Sequence, residues 1–378
     1  MTAWAQWADR TGTAIADAGR WRTVRSFDAQ GPEGVLIDAA HPDGRPLVSF
    51  ASNDYLGLTA HPAVRAAAIA AVDRWGTGAG AARLVVGSRP VHHELEAALA
   101  DWRHTESALL FPTGFAANLS VMSVFGAPGV RILSDELNHA SIIDGCRMAR
   151  AETVVYRHGD TEHLAKLLDM ARSDKIERTI IVTDTVFSMD GDVAPIEAIA
   201  GLAGQHGSLL VVDEAHAVLG PFPDLTGLDA LRVGTLSKTL GSLGGFVAGP
   251  QRFLDLLVNM ARPFIFTTGS TPADSAAALA ALAVVNSAEG DRLRDRLRNH
   301  IERIAPGHPS PVIPILVGDE RAAVRMSDRL ADQGLLVPAI RPPTVPVGTS
   351  RLRVALSAAH TDTQIEALAA GLESVQSP

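Results

Sequence analysis

The sequence predicts an α/β fold built on a mainly parallel sheet, and three observations support this. Short hydrophobic runs end in polar residues, as residues 209–212 do before Asp213, which is typical of strands buried on both faces of a parallel sheet. From about Ser107 such runs alternate with helix-length amphipathic segments, which is the pattern of βα units. The 378 residues, of which 47% are hydrophobic, are enough to form one large domain and a smaller one.

The first fifty residues predict a helical arm followed by a strand pair. Residues 1–27 are expected to form one helix with an apolar stripe. Residues 34–37 and 46–50 predict two strands, because the turn-forming segment His41–Gly44 separates them.

After this N-terminal part, residues 1–50, we expect a large domain over 51–285 and a small C-terminal α+β domain over 286–378. The glycine-rich residues 76–80 are expected to form a turn, because a dinucleotide-binding loop must follow a strand and these residues follow a helix. The predicted strands are 108–111, 130–134, 152–156, 179–185, 209–212, 244–249, 312–317, 335–340 and 351–356. The predicted helices are 62–75, 91–102, 116–125, 161–170, 251–260, 291–304, and two that begin near Pro195 and Pro272.

Composition narrows the possible functions. A net charge of -9 disfavours nucleic acid or an anionic membrane as the main partner, although it is compatible with a local basic pocket for a CoA-like anion. Cys146 is the only cysteine, so internal disulfides and multi-cysteine metal sites are excluded and a cytoplasmic location is expected. Neither a signal peptide in residues 1–20 nor a membrane-spanning stretch is expected. The segment 92–96 lacks two histidines four residues apart, so we expect no metal site.

The motif D-E-A-H at residues 213–216 is the first candidate for catalytic chemistry. It follows a predicted strand directly, at the edge where open α/β sheets bind ligands. From there Asp213 can face a ring nitrogen of a ligand, and His216 can face a ring hydroxyl. A carboxylate beside a pyridine nitrogen keeps that nitrogen protonated, so that the ring accepts electrons. An acid and a histidine that merely satisfy each other or the backbone are the alternative.

Further candidates suit the covalent attachment and the phosphate of the same ligand. Lys238 supplies an amine, and the hydroxyls of Thr235 and Ser237 beside it suit a phosphate. Gly114 and Phe115 form a turn that leads into a helix, where backbone N–H groups bind phosphate. An ordinary tight βα loop is the alternative for these two. Together, the motifs favour a pyridoxal phosphate site.

These motifs and two longer segments resemble the α-oxoamine synthases, a family of fold-type I pyridoxal phosphate enzymes. T-L-S-K at residues 235–238 is similar to the family's lysine attachment site, and S-N-D-Y-L-G-L at 52–58 to its N-terminal motif. I-R-P-P-T-V-P at 340–346 is similar to a segment of the 8-amino-7-oxononanoate synthases. The resemblance spans nearly the whole chain. It implies a large domain with a mainly parallel, seven-stranded type of sheet flanked by helices, a smaller C-terminal α+β domain and an N-terminal helical arm.

The resemblance also implies roles for individual residues. N-H-A-S at 138–141 matches the family's stacking histidine, so His139 is expected both to stack on the cofactor ring and to contact substrate. The implied catalytic residues are Lys238, His139, Asp213 and His216. The implied cofactor-binding residues are Lys238, Gly114, Phe115, His139, Ser188, Asp213, His216, Thr235, Thr267 and Thr268. The implied substrate-binding residues are Arg20, Asn53, His139, Thr344 and Arg353.

Several of these assignments have alternatives. Arg22 competes with Arg20 as the contact to the acyl substrate. Arg353 has the planar geometry that a carboxylate binds, and an ordinary surface arginine is the alternative. Thr267 and Thr268 are expected to reach the phosphate of a neighbouring subunit's cofactor, which implies a homodimer with active sites at the subunit interface. Otherwise, they cap the helix that follows.

The implied reaction is a decarboxylative condensation of L-alanine with pimeloyl-CoA or pimeloyl-[acyl-carrier protein], which gives 8-amino-7-oxononanoate, a biotin precursor. The alternatives are an α-oxoamine synthase that condenses glycine with acetyl-CoA, an aminotransferase, and a cofactor-binding regulatory protein. The sequence departs from the family pattern in residues 218–224, a shorter and proline-rich loop, and in Thr239, where the family usually has a smaller residue. Both departures leave the ring-contacting residues in place.

Overall fold

The computed structural model describes residues 1–376, which divide into two compact units. One unit is contiguous and comprises Asn53–Arg296. The other combines Met1–Ser52 with the chain from Leu297 onward. The N-terminal segment therefore belongs to the same unit as the C-terminal part of the chain.

Helices and strands alternate along most of the chain. The α-helices are α1 (Ala3–Asp17), α2 (Pro62–Trp75), α3 (Pro90–Arg103), α4 (Gly114–Phe125), α5 (Ala140–Met148), α6 (Thr161–Ser173), α7 (Ile196–His206), α8 (Gln251–Met260), α9 (Arg262–Ile265), α10 (Pro272–Val285), α11 (Ala288–Ile304), α12 (Glu320–Asp332) and α13 (Asp362–Gln376). The strands are β1 (Ser26–Ala29), β2 (Glu33–Ile37), β3 (Arg45–Ser49), β4 (Ser107–Phe111), β5 (Val130–Asp135), β6 (Glu152–Tyr156), β7 (Arg178–Asp184), β8 (Leu209–Asp213), β9 (Ala230–Thr235), β10 (Gly245–Gly249), β11 (Val312–Gly318), β12 (Leu335–Leu336), β13 (Ala339–Ile340) and β14 (Ser350–Ala355).

The contiguous unit is built on a seven-stranded sheet with the order β4-β10-β9-β8-β7-β5-β6. The pairs among β5 to β9 are parallel, whereas β10 runs antiparallel to both β4 and β9. Residues 236–244, between β9 and β10, are too few for the crossover of a dozen or more residues that a parallel pair needs, so β10 must reverse direction. The predicted α/β fold with a mainly parallel seven-stranded sheet is confirmed.

Helices cover both faces of this sheet. Ile132 and Val182 pack in one hydrophobic cluster with residues of α4, α5 and α8, whereas their neighbours Leu133 and Ile181 pack in another with residues of α6 and α7. Successive side chains of a strand point to opposite faces, so each strand must be hydrophobic throughout. This explains the unbroken hydrophobic runs from which the strands are predicted.

The second unit holds two small sheets. One has the order β1-β2-β3-β12, in which β12 pairs parallel with β3 and places Leu335 opposite Val48. The other is antiparallel, with the order β11-β14-β13. The strand pair predicted over residues 34–37 and 46–50 is confirmed as the antiparallel pair β2 and β3.

Two predictions for this unit are wrong. Residues 335–340 form two short strands in different sheets, because Pro338 between them has no N–H group to continue a ladder. The N-terminal helix does not reach residue 27 but ends at Asp17, shortly before Gly19 adopts a left-handed φ of 68°. No residue of α1 is buried, and the apolar stripe therefore stays exposed in the described chain.

One central strand, β9, is absent from the sequence prediction. Arg232 interrupts its hydrophobic run, which makes the segment resemble a connection. The structure buries this arginine to 8% exposure and pairs its charge with Glu214. Because Thr235 is the last residue of β9, Lys238 follows the end of a strand.

Two kinds of feature are absent from the part of the chain that the structure describes. No helix within residues 1–376 is long and apolar enough to cross a membrane. No cluster of three or more His, Cys, Asp or Glu side chains in the same range is arranged to hold a metal ion.

Candidate active site

Three neighbouring strands end at one pocket. Asp184, Asp213 and Thr235 are the last residues of β7, β8 and β9, and all three line a cavity of about 190 Å³. The carboxyl ends of parallel strands are where open α/β sheets bind ligands. The other lining residues are Thr113, Gly114, Phe115, Asn118, His139, Ser141, Ala215, His216, Gly234, Ser237 and Lys238. A larger cavity of about 580 Å³ lies where β9 begins and β10 ends, and none of the predicted site residues lines it.

A chain of hydrogen bonds begins at Lys238. Its Nζ lies 2.7 Å from Nε2 of His216, and Nδ1 of His216 lies 2.6 Å from the Tyr55 hydroxyl. Tyr55 in turn donates to Oδ1 of Asn53 at 3.1 Å. Since an ammonium group only donates, His216 accepts at Nε2, donates from Nδ1 to Tyr55, and leaves the phenol proton for Asn53. The predicted residues Lys238, His216 and Asn53 thus lie in one chain, which Tyr55 completes.

Two donors fix the orientation of Asp213. Its Oδ1 accepts from the backbone N–H of Ala215 at 2.9 Å, and its Oδ2 accepts from Nδ2 of Asn118 at 2.6 Å. Asp213 is only 5% exposed, and a buried carboxylate requires such compensation. The carboxylate is therefore held in place before any ligand arrives.

A second carboxyl group, Asp184, lies beside Asp213, because the register of β7 and β8 pairs the two residues. Burial and the Asp213 carboxylate raise the pKa of Asp184 well above its usual range. Oδ2 of Asp184 accepts from the backbone N–H of His139 at 2.8 Å. Asp184 thereby holds the main chain that carries the predicted stacking histidine.

His139 is the N-cap residue of α5, and its ring lines the pocket. Its Nδ1 lies 2.7 Å from Oγ of Ser141 and accepts from the Ser141 backbone N–H at 3.2 Å. Burial lowers the pKa of His139; Asp213 raises that pKa and Lys238 lowers it, and the net effect is a decrease. The ring is therefore neutral at neutral pH.

The residues predicted to bind a phosphate lie where β4 passes into α4. Gly114 and Phe115 are the first two residues of α4, so their N–H groups have no acceptor within the helix. A Cβ atom on Gly114 would lie 3.3 Å from Cβ of Thr235, so a side chain there would crowd the pocket. The hydroxyls of Thr235 and Ser237 lie 2.6 Å apart at the same end of the pocket. Helix N–H groups and hydroxyls together suit an anion.

Ser188 is a predicted cofactor contact that does not line the cavity. It lies in the turn after β7, which also carries Asp192. Asp192 lies 2.8 Å from Nε2 of His158, and Asp135 lies 2.9 Å from Nδ1 of the same ring. The hydrogen bonds to Asp135 and Asp192 raise the pKa of His158 to about 10. Charged His158 therefore links the turn of Ser188, through Asp192, to Asp135 at the end of β5.

Arg20 and Arg22 lie in the unit that contains both chain ends. The Arg20 guanidinium makes two hydrogen bonds to Glu320, at 2.9 and 2.5 Å. Arg22 donates to the carbonyl of Pro342 at 3.2 Å, within the I-R-P-P-T-V-P segment. Both arginines therefore remain candidates for the acyl contact.

The other two predicted substrate contacts belong to the same unit. Arg353 lies in β14, the middle strand of its sheet, and is 5% exposed. It is therefore not the ordinary surface arginine that was the alternative. Thr344 is exposed, and its N–H donates to the carbonyl of Arg341 at 3.1 Å.

Thr267 and Thr268 lie on the surface of the contiguous unit, away from the residues that line its pocket. Neither caps the following helix, because the N-cap of α10 is Thr271. Thr268 forms a β-bridge with Ala82, which precedes a π-helical turn, Arg83–Gly87. The exposed apolar side chains next to this bridge are Leu84, Val85, Val86 and Phe266.

Glu214, the second residue of D-E-A-H, does not line the pocket. Its carboxylate pairs with Arg232 and with Arg103, whose Nε lies 3.1 Å away. Arg232 also donates to the carbonyl of Pro223 at 2.6 Å. The three charged side chains are between 0 and 10% exposed. This buried ion cluster, Arg103, Glu214 and Arg232, ties the proline-rich loop to the end of β8.

Four polar residues that hydrogen-bond to predicted site residues are missing from the sequence prediction: Tyr55, Asn118, Ser141 and Asp184. Tyr55 and Ser141 lie inside motifs that the sequence singles out, so proximity in sequence was an available clue. Asn118 is a buried amide on a mainly apolar helix, which is also visible in the sequence. Asp184 gives no such indication, because only the register of β7 and β8 places it beside Asp213.

The residues present fit pyridoxal phosphate. An amine, a carboxylate and a helix N-terminus surround one small cavity, and they match the aldehyde, the ring nitrogen and the phosphate of that cofactor. Oδ1 of Asn118 is buried and has no hydrogen-bond partner among the described residues. A buried acceptor of this kind at a cavity is typical of a site that a ligand completes.

Fold and site together define a fold-type I pyridoxal phosphate-dependent transferase, and the model of the aminotransferase class I and II family matches residues 45–372. An 8-amino-7-oxononanoate synthase of Anaeromyxobacter dehalogenans is 46% identical over 93% of this chain and 91% of its own length. One from a Methylobacterium species is 48% identical over 95% of this chain and 97% of its own. The chain belongs to the 8-amino-7-oxononanoate synthase family.

Solved structures agree with this assignment. Serine palmitoyltransferase from S. paucimobilis, solved with a bound pyridoxal phosphate adduct of myriocin, has a TM-score of 0.89 and 29% identity, and the match covers 99% of this chain and 98% of that one. An 8-amino-7-oxononanoate synthase from Francisella tularensis has a TM-score of 0.72 and 25% identity, over 87% of this chain and 96% of that one.

Proposed function

We propose that this enzyme condenses L-alanine with a pimeloyl thioester, carried by CoA or by acyl-carrier protein, to give 8-amino-7-oxononanoate, the free carrier thiol and CO2. The observation that carries the proposal is the pocket in which Lys238, His216, Asp213 and His139 meet at the carboxyl ends of β7 to β9. The membership of the family supports the product, a biotin precursor. We further propose a cytoplasmic location, on the basis of the single cysteine.

Bound in this pocket, pyridoxal phosphate would supply an aldehyde for the amino group of the substrate and a ring that withdraws electrons from the α-carbon. Lys238 is the residue to which the cofactor attaches and the base that removes the α-proton. Asp213 would keep the ring nitrogen protonated, and His216, which contacts Lys238, would hydrogen-bond the ring oxygen. The N–H groups of Gly114 and Phe115, with the Thr235 hydroxyl, bind the phosphate.

A second group of residues contacts the substrates. His139 stacks on the ring and donates a hydrogen bond to substrate, and Arg353 binds the carboxylate of the amino acid. Asn53 and Thr344 contact substrate, and either Arg20 or Arg22 contacts the acyl substrate. The I-R-P-P-T-V-P segment supports the pimeloyl group over an acetyl group.

The nearest alternative is a synthase that condenses glycine with acetyl-CoA. A substrate panel separates the two: L-alanine or glycine is combined with pimeloyl-CoA, pimeloyl-[acyl-carrier protein] or acetyl-CoA, and thiol release, CO2 and product mass are measured. We expect 8-amino-7-oxononanoate from L-alanine and a pimeloyl thioester, and no product from glycine and acetyl-CoA. Turnover of the glycine and acetyl-CoA pair alone would reject the proposal.

We also propose that two copies of the chain form a homodimer with shared active sites. The support is the exposed hydroxyl pair Thr267 and Thr268, set beside the exposed apolar residues Leu84, Val85 and Val86. Exposed apolar groups of this size next to polar contacts are typical of protein interfaces. In the dimer, each hydroxyl pair reaches the phosphate bound by the other copy.

A mixing experiment tests the shared site. Lys238→Ala and the double variant Thr267→Ala/Thr268→Ala are each impaired, the second through weaker cofactor binding. A hybrid dimer of the two contains one site with both defects and one site with neither. Co-expression from separately tagged chains, followed by purification of the hybrid, is expected to restore up to half of the parent activity. A hybrid whose activity is only the mean of the activities of the two variants would exclude the shared site.

A further inference from the structure

The stacking histidine and the ring acid are connected by two polar side chains that have no assigned role. Nδ2 of Asn118 donates to Oδ2 of Asp213 at 2.6 Å and to Oγ of Ser141 at 2.9 Å. Oγ of Ser141 lies 2.7 Å from Nδ1 of His139. Asn118 and Ser141 are each 1% exposed, so water does not substitute for these contacts. We call this chain, from Asp213 through Asn118 and Ser141 to His139, the pocket relay.

The direction of every hydrogen bond in the pocket relay follows from its carboxylate end. An ionised carboxylate only accepts, so the amide of Asn118 must turn its NH2 group toward Asp213. The opposite amide orientation would place two oxygen atoms 2.6 Å apart. The amide nitrogen has no acceptor capacity, so its second proton points to Ser141 and the Ser141 oxygen accepts it.

The serine passes this direction on to the histidine. Because Oγ of Ser141 accepts from Asn118, its own proton is available for Nδ1 of His139. The backbone N–H of Ser141 donates to the same Nδ1 at 3.2 Å, and a backbone N–H cannot reverse. Two donors thus meet one ring nitrogen, and the single proton of the neutral imidazole is left on Nε2.

We propose that Asn118 and Ser141 are positioning residues that fix the Nε2–H tautomer of His139, so that the stacking ring presents a hydrogen-bond donor to the substrate. The identity of that substrate rests on the proposed function, but the tautomer does not. With its proton on Nε2, His139 is a donor to a substrate oxygen, a carboxylate or a thioester carbonyl, and does not accept the α-proton at that atom. Lys238 is then the base of the pocket.

The tautomer can be measured directly. Protein labelled with 15N-histidine is examined by long-range 1H–15N NMR, with and without cofactor, and His139→Gln assigns the resonances of the ring. We expect a pyridine-like shift at Nδ1 and a pyrrole-like shift at Nε2 in the parent protein near neutral pH. The Nδ1–H tautomer, or a charged ring, in the parent would overturn the proposal.

Two variants test the role of the relay itself. In Asn118→Asp, a neutral carboxyl group at position 118 donates to Asp213 and accepts the proton of the Ser141 hydroxyl. The Ser141 oxygen must then accept from His139, so the ring proton of His139 is expected to move to Nδ1. Ser141→Ala removes the hydroxyl and is expected to raise the share of Nδ1–H or charged ring. The matched control is Ser120→Ala, since Ser120 is a fully buried serine of α4 whose hydroxyl donates to Ala116, outside the relay.

Each result of the two variants either supports or overturns the proposal. An unchanged tautomer in Asn118→Asp and Ser141→Ala would overturn the proposal, and so would an equal change in Ser120→Ala. If Asn118→Asp does not fold, Ser141→Ala decides alone. In condensation assays, Ser141→Ala is expected to lower kcat about ten-fold, less than a whole acid–base group supplies, with little change in the KM for L-alanine. A parent protein with the Nε2–H tautomer but no condensation activity would refute the proposed function and leave the relay intact.

Discussion

The two acids of D-E-A-H lie next to each other in sequence and in two different environments. Asp213 lines the pocket and accepts from an amide and a backbone N–H. Glu214 lies in the buried ion cluster with Arg103 and Arg232. Neighbouring residues at a strand end point to opposite sides, so one motif supplies both a chemical group and an anchor. The pocket depends on hydrogen bonds with a fixed direction, whereas the cluster depends on balanced charge.

This contrast predicts that pocket variants change chemistry with little change in stability, and that cluster variants do the reverse. The largest effect is expected from Lys238→Ala, which removes both the attachment amine and the base and should lower kcat by roughly a thousand-fold or more. The absorbance band of the lysine-bound cofactor should disappear, while the free energy of unfolding stays near the parent value. Lys166→Ala, on the exposed surface of α6, is the control and should behave like the parent.

The opposite result is expected from Glu214→Ala in the ion cluster. This change leaves Arg103 and Arg232 buried without their counter-charge, which should cost about 3–5 kcal/mol of unfolding free energy. Denaturant unfolding measures the loss, and the fraction that remains folded should keep a kcat close to that of the parent. The control is Glu152→Ala, which removes an exposed partner of Arg131 and should cost less than about 1 kcal/mol. A large fall in kcat with intact stability would contradict the division of roles.

A smaller change in chemistry is expected from Tyr55→Phe. It deletes the hydroxyl between His216 and Asn53, so Nδ1 of His216 loses its acceptor. One such hydrogen bond is worth about 1.4 kcal/mol, so we expect roughly ten-fold lower kcat or cofactor affinity. Tyr156, the other tyrosine, is also buried but has no part in the hydrogen-bond chain from Lys238 to Asn53, and Tyr156→Phe is the matched control. Equal effects of the two substitutions would mean that the hydroxyl of Tyr55 serves packing only.

The smallest effect is expected in the pH dependence of stability and concerns His158. Its charge, like that of the ion cluster, stabilises the fold, and the turn that it holds carries the predicted cofactor contact Ser188. The His158 pKa of about 10 lies above that of an unfolded histidine, near 6.5. The stabilisation is therefore complete below about pH 6.5 and is lost as pH rises toward 10. The ring is partly exposed, so solvent screening limits the loss to about 1 kcal/mol.

Unfolding free energies at pH 6 and pH 9.5 measure this loss. His158→Gln is expected to reduce the difference between the two pH values, whereas His206→Gln, at the end of α7, is expected to leave it unchanged. A parent protein that is equally stable at both pH values would show that His158 does not carry a stabilising charge.

The sequence predicts most of the large unit, because unbroken hydrophobic runs define its strands and polar residues mark their ends. The pocket residues Asp213, His216 and Lys238 follow from the same pattern. The features that the sequence does not predict, β9 and the role of Asp184, depend on residues distant in sequence. β9 is hidden by Arg232, whose burial requires Glu214, and Asp184 becomes part of the site only through the register of β7 and β8.

The two errors in the unit that contains both chain ends have a different cause. The apolar residues of α1 suggest a longer helix, but helix length depends on local backbone geometry, and Gly19 ends the regular conformation. Residues 335–340 are apolar throughout, as in one buried strand, yet their pairing partners lie in two sheets. A hydrophobic run identifies the conformation of a segment and not the sheet that it joins.

The parallel pairing of β12 with β3 also sets an order of events during synthesis. Asn53–Arg296 contains every strand of the seven-stranded sheet, so this unit has all its parts as soon as residue 296 has left the ribosome. The hairpin of β2 and β3 emerges before this unit, but its own sheet is complete only after Leu335 has been synthesised. Because domains fold as units in the course of translation, the earliest residues of the chain are among the last to reach their final environment.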